Sequence, residues 1–379
     1  MAKSAKLKEP LIRIEKRDGL PLWKSVTVRV LAVLLALVID AVFIYFITKL
    51  NPIDVYKTIF TGTFDWSFGP KMFQMKLLRT LRDVALLLGI AVALAPAFKM
   101  RFWNIGAEGQ VLVGALAAAL CMQYLAPCVS APVLYVVMII SSALIGAVWG
   151  FIPALFKAKW NTNETLFTLM MNYIAINIVC CVANIWRGEK SSMGTINAGT
   201  KLGWFPNILG QGFTLNIIIV FALTVLVFVY LKYTKSGYEI AVVGESEKTA
   251  RYAGINVFKV ILRTMAISGA ICGLCGFMTV AGKDHTISAN TAGGYGFTAI
   301  IVAWMSKFNT FIMMIIAFLI VFLEHGASEI ASKFAVMNDY AADIITGIIL
   351  FCLIGSEFFI NYKIKFRRSV GAAKTKEGE

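Results

Sequence analysis

Long apolar segments constrain the fold of this chain more than any other feature of its sequence. A helix of about 20 mainly apolar residues crosses the ~30 Å hydrocarbon core of a bilayer, and segments of that length recur along the chain. Since lipid offers the backbone no hydrogen-bond partners, such segments cross it as α-helices. We predict ten spans, near residues 28–48, 78–98, 103–125, 133–156, 165–186, 213–232, 259–281, 288–306, 309–330 and 341–361.

The composition places the chain in one class of protein. Of its 379 residues, 59% are hydrophobic and 15% are charged, which is more apolar material than one globular core could bury. We therefore predict an all-α polytopic membrane protein. A polar tail precedes the first span without a small-residue cleavage pattern, so this span is expected to remain as an anchor and not to be removed as a signal peptide.

Lysine and arginine predict the orientation, because loops rich in these residues stay in the cytoplasm. With the N-terminus inside, the inner segments carry 23 of the 36 basic residues and the outer segments carry 10. Both termini are therefore predicted to be cytoplasmic, which requires an even number of crossings. The predicted organisation is a basic tail at 1–27, a transmembrane domain at 28–362 with an inner loop at 233–258, and a basic tail at 363–379.

The segment at 288–306 has a second interpretation. Its glycines and its short apolar run also fit a re-entrant hairpin. In that case the C-terminal tail would lie outside, against the charge bias, and it would carry Lys363, Lys365, Arg367 and Arg368 with it.

The net charge of +15 is compatible with binding to nucleic acid or to anionic lipid. The excess lies in the two tails, next to apolar helices. Contact with lipid headgroups is therefore favoured, and nucleic acid is not expected as a partner.

A polar break interrupts the apolar sequence between Ala91 and Gly114, which reads AVALAPAFKMRFWNIGAEGQVLVG. Such a break is tolerated at membrane depth only where protein or a water-filled cavity satisfies the freed backbone groups. A second glycine-rich break, Gly293–Gly296, lies at the corresponding place in the second half of the chain. Two interrupted helices in corresponding positions predict a central translocation site.

Two common motifs of nucleotide-binding proteins and zinc enzymes are missing from the sequence. It contains no Gly-x-x-x-x-Gly-Lys-Ser/Thr phosphate loop and no His-Glu-x-x-His zinc motif. A membrane-embedded enzyme would need acid, base or metal groups converging on one face, and the two histidines with dispersed acids do not supply them. We predict no catalytic residue, no metal site and no cofactor of its own.

Small residues predict close packing between helices. Gly146-x-x-x-Gly150 and Gly269-x-x-x-Gly273 permit close approach, and the face of the seventh span is expected to contact the first interrupted helix. Cys272 and Cys275 resemble a redox or metal pair in spacing, but they lack a βαβ setting and a second pair, so packing is favoured.

The inner loop at 233–258 has the sequence of one short helix. Ser246 or Glu245 can cap its start, Glu247 suits its positive end, Arg251 suits its last turn, and Gly254 can end it. Ala250 and Ala253 form a narrow face beside Tyr252. The helix is interpreted either as a docking element for a cytoplasmic partner or as an ordinary solvated loop helix.

Five blocks of this sequence carry a resemblance to a known family, and they are Asn104–Gln110, Asn163–Ala175, Ala250–Asn256, Ile267–Gly276 and Gly293–Ala303. In their order and spacing they resemble the permease subunit of ABC importers for simple sugars and nucleosides. The similarity extends over residues 30 to 362, and the Asn163–Ala175 block with the long N-terminal tail is most similar to the purine nucleoside branch.

The resemblance implies an importer half in a bacterial plasma membrane, built like the ribose, branched-chain amino acid and cobalamin permeases. Its partners would be ABC ATPase subunits, which hydrolyse the ATP, a second permease subunit that is a paralogue, and an extracytoplasmic substrate-binding lipoprotein or protein. The short helix would be the coupling helix on the ATPase. The expected contact residues are Glu245, Ser246, Glu247, Lys248, Ala250, Arg251, Tyr252 and Gly254.

A nucleoside or sugar would need amide, hydroxyl and aromatic partners along its pathway. Asn172 and Gln110 have the alternative of bonding only between helices, and Tyr173 that of packing or anchoring at the membrane interface. For Glu108 a structural role is favoured, bonding the Gly106–Gly109 turn or pairing with Arg101. The candidate pathway residues are Asn104, Glu108, Gln110, Asn172, Tyr173, Tyr295 and Phe297.

The remaining ionisable residues of the spans are predicted to pair between helices or to lie at the membrane interface. A proton relay is the alternative, and it would support a proton-coupled secondary transporter of a small polar solute. Against this, the carboxylates are scattered along the chain, and such a carrier has no use for a docking helix. These residues are Asp40, Asp83 beside Arg82, Glu324 next to His325, and Asp343.

Overall fold

The computed structural model describes residues 12–17, 21–65, 69–190, 193–208, 210–334 and 339–366. Parts of the predicted basic tails, residues 1–11 and 367–379, lie outside the described residues. The elements are β1 Ile12–Lys16, α1 Leu22–Thr48, α2 Pro52–Thr63, α3 Pro70–Lys99, α4 Ala107–Tyr124, α5 Ala131–Trp160, α6 Glu164–Arg187, α7 Thr214–Tyr233, α8 Lys235–Glu245, α9 Glu247–Tyr252, α10 Val257–Thr279 with a π-helical extension Val280–Asp284, α11 Tyr295–Met305, α12 Thr310–Lys333, α13 Asp339–Asn361 and β2 Tyr362–Phe366.

The predicted all-α polytopic fold is confirmed. Each of the ten predicted spans coincides with a helix, namely α1, α3 to α7 and α10 to α13. Within the described ranges, seven helices are long and apolar enough to cross a membrane. Helix α3 begins at Pro70 and not near residue 78, because proline is favourable in the first turn of a helix, where its missing N–H costs nothing.

The segment predicted at 288–306 contains one short helix. Its helix, α11, has 11 residues, a length of about 16 Å against the ~30 Å of a bilayer core. Before it, Lys283 Nζ lies 3.2 Å from Asp83 Oδ1 of α3, and at its end the rings of Trp304 and Phe98 of α3 have centroids 6.3 Å apart. Asp83 and Phe98 are separated by about 22 Å along α3. The chain therefore runs beside α3 over a distance of this size, which favours a crossing over the re-entrant hairpin.

The described residues form two compact units. The larger is Thr61–His325, and the smaller consists of the described residues up to Phe60 together with those from Gly326. In the smaller unit, β1 and β2 pair antiparallel with Ile14 opposite Ile364, so these parts of the two predicted tails meet.

The smaller unit contains two of the ionisable residues that the sequence placed in spans. Asp40 of α1 is buried, and neither of its carboxylate oxygens has a hydrogen-bond partner among the described residues. The interhelical pairing predicted for it is therefore not found in this part of the chain. The side chain of Asp343 lies outside what the structure describes.

Helices α4, α5 and α10 pack backbone against backbone in the larger unit. A Cβ atom added at Gly114 of α4 would overlap Gly273 of α10, and one added at Gly146 of α5 would overlap the carbonyl of Gly269. Likewise, a Cβ atom at Gly276 would overlap the carbonyl of Val111. The predicted small-residue contacts are confirmed, including the contact of the seventh span with the first interrupted helix.

Both cysteines of the redox-like pair are buried within this packing. Cys272 and Cys275 are 0% exposed, and the sulfur of Cys275 lies against Gly89 of α3. The packing interpretation of this pair accounts for their position.

Candidate functional site

The first break begins where α3 ends in a left-handed turn. Arg101 has a φ of 60°, and the Phe102 N–H donates to the Ala97 carbonyl at 3.0 Å, which closes the helix end. Asn104 is fully buried and accepts a hydrogen bond from the Gly106 N–H at 3.0 Å. Its side-chain amide also donates to Gln110 Oε1 at 3.3 Å. These bonds hold the non-helical stretch inside the bundle at the start of α4.

Asn172 of α6 ties a neighbouring helix to this break. Its Oδ1 accepts from the Gly109 N–H at 2.9 Å, and its Nδ2 donates to the Ile105 carbonyl at 2.8 Å. A Cβ atom at residue 109 would lie 2.9 Å from that same Oδ1, so the bond depends on glycine. The amides of Asn172 and Gln110 thus make their hydrogen bonds within the protein, in agreement with the structural alternative for both.

Glu108 joins the first break to the second. Its Oε1 accepts from the Gly294 N–H at 2.9 Å and its Oε2 from the Gly296 N–H at 2.7 Å, at the start of α11. A carboxylate is stabilised there by the helix dipole and by amides that have no intrahelical partner. The partners expected from the sequence, the Gly106–Gly109 turn and Arg101, were wrong. The structural role expected of Glu108 agrees with these bonds.

The second break relies on glycine. Gly293 and Gly294 have φ values of 61° and 76°, which only glycine adopts readily. At Gly296 an added Cβ atom would overlap the backbone nitrogen of Glu108. The starts of α4 and α11 are thus in direct contact, and the two interrupted helices predicted from the sequence meet inside the larger unit.

The side chains of the three aromatic candidates extend away from the hydrogen bonds of this junction, although Tyr295 itself is the first residue of α11. Tyr295 lines a cavity of about 690 Å³ that Val111 also borders. Tyr173 of α6 is 57% exposed and Phe297 of α11 is 44% exposed. The seven predicted residues therefore divide into four at the junction, one in the cavity and two on the surface of this chain.

The cavity is polar and contains charged groups. Lys283 lies over the Tyr295 ring, with Nζ 5.7 Å from the ring centroid, and the Tyr295 hydroxyl is hydrogen-bonded to Glu324. Hydroxyl and amide groups of Ser288, Asn290 and Thr291 also line it, as does the carboxyl group of Asp284.

A charge cluster adjoins the cavity, and it contains the pairing between helices that the sequence predicted for Asp83. Asp83 accepts from Arg82 Nη2 at 2.8 Å, lies 3.2 Å from Lys283 Nζ, and is 3.1 Å from His325 Nε2. The other ring nitrogen of His325 is 3.2 Å from Thr80 Oγ1. Asp83 and Glu324 come from two different spans, as the sequence indicated, but the fold brings both of them close to Tyr295. In the sequence, Arg82 and Asp83 are neighbours in one span and Glu324 and His325 are neighbours in another, and nothing there indicates that the two pairs meet.

A second cavity, of about 590 Å³, lies beside the loop between α6 and α7. Arg79, Lys201 and Lys283 contribute positive charge to its wall. The loop is attached to the end of α10 by backbone bonds, such as that from the Phe205 N–H to the Ala281 carbonyl at 2.9 Å. His285 stacks on a tryptophan of this loop, and burial holds the pKa of this histidine below its usual value, so the ring is neutral at pH 7.

The predicted short helix is present as α9. Ser246 caps it by accepting from the Thr249 N–H at 3.3 Å, and Gly254 follows it with a φ of 76°. Tyr252 is 93% exposed, whereas Ala250 is fully buried. Ala250 therefore anchors α9 to the protein instead of facing a partner.

The charged residues that were predicted to contact the partner are exposed on the surface of this helix. Glu247 and Arg251 are exposed and lie 3.9 Å apart at their charged ends. Glu245 and Lys248 are exposed as well.

The chain is all-α, has several helices that can cross a membrane, and contains two interrupted helices that meet inside the larger unit, features that are typical of transporters. The chain belongs to the branched-chain amino acid transport system / permease component family, whose profile matches residues 76–354. It is accordingly a permease component, a transport subunit and not an enzyme.

Curated relatives agree with this assignment. The chain is similar to the glucose ABC transporter permease protein TsgB13 of Haloferax volcanii, with 29% identity over 93% of each chain. It is 31% identical to the guanosine ABC transporter permease protein NupP of Bacillus subtilis over 77% of this chain and 84% of that protein. A second guanosine permease protein of that organism, NupQ, is 25% identical over 54% of this chain and 67% of its own length. No solved structure matches the chain.

Proposed function

We propose that this permease subunit imports a nucleoside or a simple sugar. Relatives named for guanosine and for glucose support the proposal, since both solutes are uncharged and rich in hydroxyl groups. The observation that carries it is the polar cavity of about 690 Å³ next to the start of α11, with Ser288, Asn290 and Thr291 in its wall. Hydroxyl and amide side chains of this kind both donate and accept, as a hydroxylated solute requires.

The predicted pathway residues take two roles in this proposal. Asn104, Glu108, Gln110 and Asn172 hold the breaks of α4 and α11 in position, which is supported by their hydrogen bonds to backbone and to one another. Tyr295 contacts solute in the cavity. Tyr173 and Phe297 meet the solute or a neighbouring subunit from the exposed surface.

Membership in this family implies ATPase and substrate-binding partners. We assign the ATPase contact to α9, with Glu247, Lys248, Arg251 and Tyr252 as the contacting side chains. Their exposure supports this assignment, as does the buried Ala250, which fixes the helix to the membrane part. A force applied to α9 from the cytoplasm can then be transmitted into the spans.

The finer arrangement of the complex is also part of the proposal. The second permease subunit is a paralogue, which is supported by the two different guanosine permease proteins of one organism, NupP and NupQ. The charge distribution supports cytoplasmic termini, a substrate-binding lipoprotein or protein on the opposite side, and contact of the basic tails with anionic lipid.

A proton-coupled carrier is the second candidate, favoured by one observation. Asp83, Glu324 and His325 gather beside the cavity, as groups of a proton relay would. Lys283 and Arg82 compensate Asp83, which fits a fixed ion-pair cluster better than a relay that changes its charge.

Reconstituted transport separates the two candidates. The permease pair and the ATPase would be placed in proteoliposomes with ATP at the ATPase face and the binding protein at the other, and uptake of radiolabelled guanosine and glucose measured. We expect uptake that needs ATP hydrolysis and persists with an uncoupler. Uptake by this chain alone that stops with an uncoupler would overturn the proposal.

A further inference from the structure

Helix α6 carries polar side chains on a side that no described element covers. Tyr173, Asn177, Cys181 and Asn184 are all exposed, at intervals of four, four and three residues. Residues spaced by three and four lie on one face of a helix. These four residues form the α6 polar stripe.

The exposed sides of α5, which packs on α6, and of α7, another long helix, are apolar, as contact with lipid requires. Next to the polar stripe, α6 itself exposes Ile174, Ile178 and Ile185. The exposed side chains of α5 include Ile140, Leu144 and Val148, and those of α7 include Phe221, Leu226 and Val229.

The depth of Asn177 makes the stripe informative. This residue lies about 20 Å along the helix axis from Glu164 at the start of α6, well inside a hydrocarbon core of ~30 Å. Its Nδ2 donates to the Tyr173 carbonyl at 2.7 Å, while its Oδ1 has no hydrogen-bond partner among the described residues. An exposed amide at this depth is unfavourable against lipid tails, so this face is expected to meet water or polar groups.

We propose that the α6 polar stripe is one wall of the aqueous translocation path and that Asn177 hydrogen-bonds the solute. The proposal rests on the proposed function and identifies a solute-contacting residue for it. The stripe has donors, acceptors and the flat ring of Tyr173 but no charge, which suits an uncharged hydroxylated solute. Because the stripe is open on this chain, the opposite wall comes from the second permease subunit.

Cys181 provides a probe inside the stripe. In a Cys180→Ser variant of the complete importer, in membrane vesicles, modification of each cysteine by the charged thiol reagent MTSET would be followed by mass spectrometry. We expect Cys181 to react, and guanosine or glucose to slow its reaction at least fivefold. Exposed Cys128 in the loop after α4 serves as the reactive reference, and buried Cys272 as the unreactive one.

A matched control tests the orientation of the helix. Ile178 lies at the depth of Asn177 on the neighbouring apolar side, so the cysteine in Ile178→Cys should stay unmodified. Equal labelling at both positions, or no labelling of Cys181 in an importer with normal ATP-driven uptake, would show that the stripe faces lipid or a closed protein interface. Absence of ATP-driven uptake in the wild-type importer would instead refute the proposed function.

A second measurement tests the role of Asn177. Uptake at low solute concentration should fall at least tenfold in Asn177→Leu and stay within twofold in Ile178→Leu, with the same amount of ATPase co-purifying in both. Normal uptake by Asn177→Leu would contradict the solute contact.

Discussion

Glu108 connects two interrupted helices through a single carboxylate. Both of its oxygens accept backbone N–H bonds from the start of α11, and the side chain is only 6% exposed. Because a carboxylate accepts on both oxygens and an amide accepts on only one, Glu108→Gln retains the shape but loses one bond and the charge. A hydrogen bond to a charged group contributes about 1.5–3 kcal/mol.

We predict that Glu108→Gln lowers the thermal stability of the purified permease complex and reduces ATP-driven uptake about tenfold or more. Melting in detergent and uptake in proteoliposomes are the measurements. The control is Glu189→Gln, which makes the same chemical change at an exposed residue after α6. If Glu108→Gln melts and transports like that control, the carboxylate does not hold the two helices together.

The location of Glu108 could be predicted from sequence, but its partners could not. An acidic residue in the first turn after a polar break indicates a bonded carboxylate, because a free one is costly at membrane depth. The bonds to Gly294 and Gly296 join residues far apart in the chain, through backbone N–H groups that have no side-chain pattern. Pairing of Asp83 between helices was predicted, but its partners were not, for the same reason: they come from the end of α10 and from α12.

At the scale of the elements, helices α4, α5 and α10 contact one another at glycines. The backbones are so close there that no side chain larger than the hydrogen of glycine fits between them. A Cβ atom at Gly273 would overlap the Ser142 carbonyl and lie 3.2 Å from the Gly146 Cα atom. Without a hydrophobic driving force between helices in lipid, close backbone packing supplies much of their association. A larger side chain here has to push α5 away from α10.

We predict that Gly273→Leu prevents assembly of the permease or abolishes its transport. Overpacking of a core commonly costs about 1–3 kcal/mol, and here the obstacle is backbone that cannot rotate aside. The measurements are the yield of folded protein by size-exclusion chromatography and ATP-driven uptake.

Gly347→Leu is the matched control for this substitution, because Gly347 of α13 has open space where a Cβ atom would be. It should express and transport normally. Normal expression and full uptake of Gly273→Leu would refute the packing argument.

For the whole molecule, the apolar pattern predicted the ten helices of the spans, since a spanning helix must satisfy its backbone bonds internally and leaves a run of about 20 apolar residues. It did not predict α2 or α8, which are too short and too polar to leave such a run. It could not predict the length of α11, because the loop before it contains apolar residues that extend the run. The pairing of β1 with β2 was also missed, as two short strands at opposite chain ends give no local signal. Helix α9 was predicted with its cap and its end, because both are encoded within nine residues.

The assembly of the whole transporter depends on α9 in the function proposed here. Arg251 is exposed and lies 3.9 Å from Glu247 on the same helix. We predict that Arg251→Glu reduces co-purification of the ATPase at least fivefold and ATP-driven uptake in proportion, because it reverses the charge of the contact. The substitution also places two acids at positions i and i+4, which costs the helix only about 0.2–0.5 kcal/mol.

The double variant Glu247→Arg with Arg251→Glu is the control, because it restores the ion pair within the helix. If the ATPase recognises the charge at residue 251, the double variant should remain defective. If only the stability of the helix matters, it should recover. Unchanged co-purification in Arg251→Glu would remove Arg251 from the ATPase contact.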